Sequence, residues 1–241
     1  YYGTLNTCTL SGNAAGDGGG VANGTVNNCT LTNNSARYGG GTYFGTLNNC
    51  TFAGNLSSNV GGGSYYGTLN NCRLTGNSAF NSGGGAYDST LNNSLLIGNT
   101  AFTNGGGSYA GTLNNCTLSD NLAGASGGGS FTGRLNNCVV FFNTAPTGAN
   151  YQASWLVSSC TTPDPGGTRN ITNNPLFVNA GAGNYRLSTN SPCLDQGTNV
   201  YVNGTTDLDG NPRIANGTVD MGAYEYQIGG PAPVGYWAWA S

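Results

Sequence analysis

Gly67-Thr68-Leu69-Asn70-Asn71-Cys72-Arg73-Leu74-Thr75-Gly76-Asn77 decides the fold, because recognisable copies of it return at almost constant spacing up to residue 145. Marking each copy by its cysteine gives Cys8, Cys29, Cys50, Cys72, Ser94, Cys116 and Cys138, with Cys160 where an eighth falls. The steps are 21 or 22 residues. A period of that size belongs to a solenoid, in which each coil buries its apolar face only against its neighbours. Functional groups are therefore sought as ladders of equivalent residues.

Working outward from the cysteine, Leu5, Val26, Leu47, Leu69, Leu91, Leu113 and Leu135 form one apolar ladder, preceded in most coils by an outward Thr. Leu10, Leu31, Phe52, Leu74, Leu96, Leu118 and Val140 form a second. The Cys-x-apolar alternation has the period of a half-buried strand. Between the ladders the Asn-Asn pair breaks the alternation and turns the chain, since Asn tolerates a left-handed backbone. A third series, Asn13, Asn34, Asn55, Asn77, Asn99, Asn121 and Asn143, predicts a structural ladder of side-chain amides passed from coil to coil. Triple glycines, from Gly18–Gly20 to Gly127–Gly129, supply bends. They lack the helix start and the Lys that a phosphate loop needs. Leu69 to Asn77 also fits a leucine-rich repeat, but glycine fills the return path and helix formers are rare. The reading is all-β: a right-handed parallel β-helix of 21–22-residue coils, about ten over the whole length, followed by an irregular β C-terminal module.

After each glycine run come a small residue and an aromatic: Tyr43, Tyr65, Tyr87, Tyr109 and Phe131, with Tyr1 in phase and Ala22 the exception. Either these rings point outward and stack at the strand spacing, as a candidate glycan-binding row, or they fill the core behind the glycines. Seven of the eight cysteines share one phase of the repeat, where neighbouring side chains point the same way, so a ladder of small buried thiols is expected. Cys160, in phase but beyond the regular coils of residues 1–145, and Cys193 are the disulfide candidates.

Composition narrows the partners. Six arginines, no lysine, no histidine and a net charge of -3 exclude the basic field that nucleic acid or an anionic membrane requires. No apolar run reaches the roughly 18 residues of a membrane span, so no membrane insertion is expected. Zinc has neither histidine nor a CxxC to hold it. The acids of the repeats, Asp17, Asp88 and Asp120, are scattered, and Arg37, Arg73 and Arg134 share no phase, so paired acid–base chemistry is not expected.

From Pro146 the pattern decays. Residues 1–145 read as regular coils, 146–172 as a degenerate coil and connection, 173–228 as a terminal module, and 229–241 as a Gly/Pro linker with an aromatic, strand-like tail. The terminal module carries Asn174-Pro175-Leu176-Phe177-Val178, Ser191-Pro192-Cys193-Leu194-Asp195, Thr206-Asp207-Leu208-Asp209-Gly210-Asn211-Pro212-Arg213 and Val219-Asp220-Met221-Gly222-Ala223-Tyr224-Glu225-Tyr226. Over about residues 173–227 it resembles the choice-of-anchor Q module that ends secreted right-handed β-helix proteins of bacteria such as Planctomycetes and Verrucomicrobia. The resemblance implies a secreted or surface-anchored bacterial solenoid.

Asp207, Asp209 and Asp220 are weak calcium candidates by their spacing, against a tight turn in which Asp caps Arg213; no other cofactor is expected. Tyr1, Tyr2 and Leu5 at one end, with Tyr236, Trp237 and Trp239 at the other, are candidates for end-to-end self-association into a fibre. Tyr1 falls in mid-repeat, which points to a processed or partial chain. The expected function is a non-catalytic extracellular structural or adhesive solenoid. Its alternatives are a glycan-binding surface adhesin using the Tyr row and a polysaccharide-degrading β-helix enzyme.

Overall fold

A computed structural model describes residues 3–227. Each coil is four-sided, with one short strand per side, and the strands stack into four parallel sheets. Sheet A has eight strands, from Thr4–Asn6 to Trp155–Val157, and sheet B eight, from Thr9–Ser11 to Cys160–Thr161. Sheet C has five, from Ser35–Tyr38 to Leu122–Ala123, and sheet D seven, from Val21–Ala22 to Tyr151–Gln152. The repeat fixes the register: Leu69 pairs with Leu91, and Leu74 with Leu96. The chain is thus an all-β parallel solenoid of about seven coils of roughly 22 residues, with a small antiparallel region after it.

All four corners of a coil use left-handed backbone. In the coil around Cys72, Tyr66 turns from D to A (φ 52°), Asn71 from A to B (φ 53°), Gly76 from B to C (φ 62°) and Gly83 from C to D (φ 69°). Asn holds the second corner in six successive coils, from Asn28 to Asn137, because its short amide tolerates that region. The triple glycines have a second cause besides conformation. A Cβ on Gly63 would stand 2.5 Å from the Gly85 carbonyl oxygen and 3.2 Å from a Leu74 methyl. The coil is pressed flat there, and no side chain fits between it and the next.

Inside, the two aliphatic ladders and the thiols form one continuous core, from Val26 to Leu156. The Cys72 thiol donates to the carbonyl of Asn70 at 3.3 Å, and the Ser94 hydroxyl makes the same bond to Asn92 at 2.8 Å. A hydroxyl of that size therefore replaces a thiol without loss. One assignment shifts in the eighth coil. Cys138 N–H donates to Ser159, as Cys72 N–H does to Ser94, so Ser159 holds the marker position and Cys160 pairs with Val139 on the outward side. Cys160 and Cys193 meet in a second core, where the thiols are in contact but unbonded; all eight cysteines are free. The expected disulfide is absent from this structure.

The coils stop short of ten because residues 173–227 do not continue the winding; they fold back along the outer face of sheet B. A hairpin of Phe177–Asn179 and Asn184–Leu187 begins this region. Leu187, Cys193 and Met221 pack on Val139 and Phe141, and Tyr185, Ala223 and Tyr224 pack on Leu95. The outward row of sheet B anticipates this cover: Thr9, Thr30 and Thr51 give way to Arg73, Leu95, Thr117 and Val139. Along the edge, the corner asparagines grip the returning chain. Asn137, Asn115 and Asn93 donate to the carbonyls of Thr198, Tyr201 and Asn203, and Asn71 to the Thr206 hydroxyl. The returning strand so climbs one coil for every two or three residues, toward the first coils.

Candidate functional site

The small residues of sheet D, Thr42, Ser64, Ala86, Ser108 and Ser130, are fully buried, so the aromatic beside each points outward. Tyr43, Tyr65, Tyr87, Tyr109 and Phe131 form one unbroken stack. Successive centroids lie 5.2, 5.5, 4.8 and 5.4 Å apart, with interplanar angles of 19° or less. Of the two placements the sequence left open, the outward one is correct. Phe44 and Tyr66, at the D–A corner, make a second stack at 5.1 Å and meet the first edge to face. Tyr38 leans on Tyr65, and Arg37 lies over Tyr38 at 5.1 Å.

This geometry changes what the row can offer a ligand. Each interior ring has both faces covered by its neighbours, so a sugar cannot stack on a ring face there. What remains exposed is a stripe of ring edges tipped by hydroxyls. The hydroxyls of Tyr43, Tyr65, Tyr87 and Tyr109 hold no hydrogen bond among the described residues. Burial pushes the Tyr65 and Tyr87 phenols up, and interaction with the Asp88 carboxylate pushes the Tyr66 phenol up to about 12.

The Asn ladder is formed as expected from Asn13 to Asn143 and extends one step further. Each amide donates to the next Oδ1 at 2.9 to 3.0 Å along most of its length, and Asn143 passes to Asn150. A second ladder went unread: Asn27, Asn48, Asn70, Asn92, Asn114 and Asn136 donate in the opposite direction on the outer face of sheet A, at 2.8 to 2.9 Å. Its sequence signal is the first Asn of the Asn-Asn pair just before each marker position, a pair that also makes the turn.

The acidic residues of the terminal region are joined differently from the calcium reading. Asp209 points away, to Arg186 and Arg73. Asp207 accepts the backbone N–H groups of Asp209, Asn211 and Glu225, and Asp220 those of Asp195 and Tyr226. Asp195, Asp220 and Glu225 are the acids brought within 4.8 Å of one another. Nor does an Asp side chain cap Arg213. That buried guanidinium donates to the carbonyls of Asp220 and Gly222 at 2.9 and 2.7 Å, with Nε and Nη1 unpaired among the described residues. Burial pushes Asp220 up to about 6 and Glu225 to about 7.

Asp120 accepts from Tyr185 at 2.7 Å, and Asp88 interacts electrostatically with Tyr66. Leu5 is partly buried against the core of the first coil. Tyr1, Tyr2, Tyr236, Trp237 and Trp239 lie outside the described residues.

No model of a protein family matches the chain, and no curated protein matches it. Among solved structures it is similar to pectate lyase Pel9A, at 14% identity and a TM-score of 0.46 over 92% of this chain and 69% of that one. It is also similar to QnrB1, a plasmid-mediated fluoroquinolone resistance protein, at 14% identity and a TM-score of 0.19, over 64% of this chain and 91% of that one.

Proposed function

We propose that the chain is a non-catalytic, extracellular adhesive solenoid that lies lengthwise along an extended polysaccharide. The observation that carries this reading is the stripe of four unpartnered phenol hydroxyls at coil pitch. An extended β-linked glycan advances by about one strand spacing per sugar, on the order of 5 Å, so each sugar meets one phenol and hydroxyl–hydroxyl bonds repeat in register. Such bonds are individually weak, about 1 kcal/mol net, and the row gains affinity by repetition. The resemblance of residues 173–227 to choice-of-anchor Q modules supports a place at a bacterial surface. Engagement of Asp120, Asp207, Asp220 and Glu225 in internal hydrogen bonds supports the absence of catalysis.

The test is retention on insoluble cellulose and chitin. Replacing Tyr65, Tyr87 and Tyr109 together by Phe keeps the stack and removes only the hydroxyls. Retention is expected to fall at least about tenfold, as the loss of two or three such bonds implies, with an unchanged circular dichroism spectrum. Equal retention of the variant and the parent sinks the proposal.

A further inference from the structure

Sheet C carries a short ring stack that differs from the row on sheet D. Phe80 and Phe102 are 67% and 68% exposed and stack in parallel, 5.4 Å apart at 3°. The register sets what lies beyond each ring. Phe80 N–H donates to the Ser57 carbonyl, which places Ser58 one coil before Phe80. Phe102 N–H donates to the Ala79 carbonyl and Gly124 N–H to that of Ala101, which places Gly124 one coil after Phe102. A Cβ at Gly124 would run into the Phe102 carbonyl oxygen, so no side chain stands there. The column therefore reads Ser58, Phe80, Phe102, Gly124, and no other ring of the described residues covers the outer face of either Phe. Beside it runs a second outward column, in which Leu56, Ser78, Thr100 and Leu122 follow in register. A groove of about 520 Å³ is lined by Leu56, Ser58, Ser78, Thr100 and the two rings, and no charged side chain lines it. The hydroxyls of Ser58, Ser78 and Thr100 hold no hydrogen bond among the described residues.

We infer that this groove is a separate sugar site, in which a neutral pyranose ring stacks on the bare face of Phe80 above Ser58. The inference rests on the reading of the chain as a polysaccharide binder and adds the place where a ring face is open. A pyranose presents C–H groups on its faces and hydroxyls around its rim. The face of a Phe ring carries negative π density, which C–H groups favour, and parallel stacking at coil pitch is already the habit of this column. A sugar above Ser58 continues that stack by one coil. Its rim then meets the free hydroxyls of Ser58 and Ser78, while Leu56 walls the side. An apolar cleft with a few unpartnered polar groups, within the roughly 300–1,000 Å³ of small-ligand sites, is the make-up such a ligand needs. The absence of charge from the lining favours a neutral sugar over an acidic or amino sugar. A peptide strand fits the place less well. The strands that bear Leu56, Phe80 and Phe102 lie within or beside strands paired on both sides, so the face offers no free main chain for a peptide to join.

The test is calorimetric titration of the full chain with cellohexaose and with chitohexaose. Ser58→Phe extends the ring stack over the bare face while adding apolar surface. It is expected to weaken binding about tenfold, where a merely apolar contact would be strengthened. Phe80→Trp keeps a ring face and is expected to bind as the parent does, and Phe80→Ser to lose as much as Ser58→Phe. Both positions are exposed, and an unchanged circular dichroism spectrum checks that the variants fold. Equal affinity of Ser58→Phe and the parent overturns the inference. So does a dimer of the parent that Phe80→Ser dissociates, which assigns the rings to a second copy. The variant with Tyr65, Tyr87 and Tyr109 replaced by Phe separates the two sites. Loss there with none in Ser58→Phe keeps the phenol row and overturns the groove, loss in Ser58→Phe alone sustains the groove and overturns the row, and no binding by the parent overturns both.

Discussion

Asn99 shows how much a single position of this fold can carry. Its Oδ1 accepts from both the backbone N–H and the side chain of Asn77, and its Nδ2 donates to the Leu74 carbonyl and to Asn121. All of this is shut away from water. Removing the amide strands the Asn77 donors and the Leu74 acceptor, at about 1–3 kcal/mol per unsatisfied group. Asn99→Ala is therefore expected to lower unfolding free energy by at least about 3 kcal/mol in urea titration. Asn49, at an exposed left-handed corner (φ 54°), answers to conformation alone. There Asn49→Gly is expected to be nearly neutral and Asn49→Val to cost about 1–2 kcal/mol, which the same titration reads. Both asparagines were visible in the sequence as members of a periodic series. That one is a buried relay and the other a corner follows from phase: the relay residue faces inward at the start of a strand, and the corner residue sits between two strands.

The terminal region is the element whose chemistry the sequence conveyed least. Its acidic motifs read as a cation loop or a turn. Folded, the carboxylates collect backbone N–H groups that have no sheet to join, around an arginine held by carbonyls. Spacing along the chain could not show this, because Asp195, Asp220 and Glu225 converge only when three loops meet. Burial raises Asp220 from 3.8 to about 6 and Glu225 from 4.5 to about 7. The folded state then keeps protons that the unfolded chain has already released. Stability from these groups is full below the unfolded values and is lost as pH rises through 6 and 7, with a slope of roughly 1.4 kcal/mol per unit for each proton retained. The urea midpoint is expected to be higher near pH 5 than near pH 8, and Glu225→Gln is expected to flatten the difference. A midpoint that rises with pH contradicts the assignment.

At the scale of the molecule, the returning chain turns the second half of sheet B into an interior. Leu95, Val139, Phe141 and Cys160 are outward residues of a solenoid and yet are buried, because Tyr185, Leu187, Met221 and Tyr224 cover them. A chain ended at Thr172 is expected to expose that strip, bind anilinonaphthalene sulfonate and associate, as size-exclusion chromatography would show; a silent monomer would mean that the strip needs no cover. The coil, its inward ladders, its corners and its inner Asn relay were determined by the sequence itself, since a period of 21 or 22 residues fixes the register and each ladder depends only on the nearest coils. Tertiary structure alone decided the number of coils, the direction of the aromatic rings, the place of Cys160 and the partners of the acidic residues. Each of those depends on contacts between residues tens of positions apart, or on which side of a two-residue strand faces the core, and neither is encoded in a local repeat.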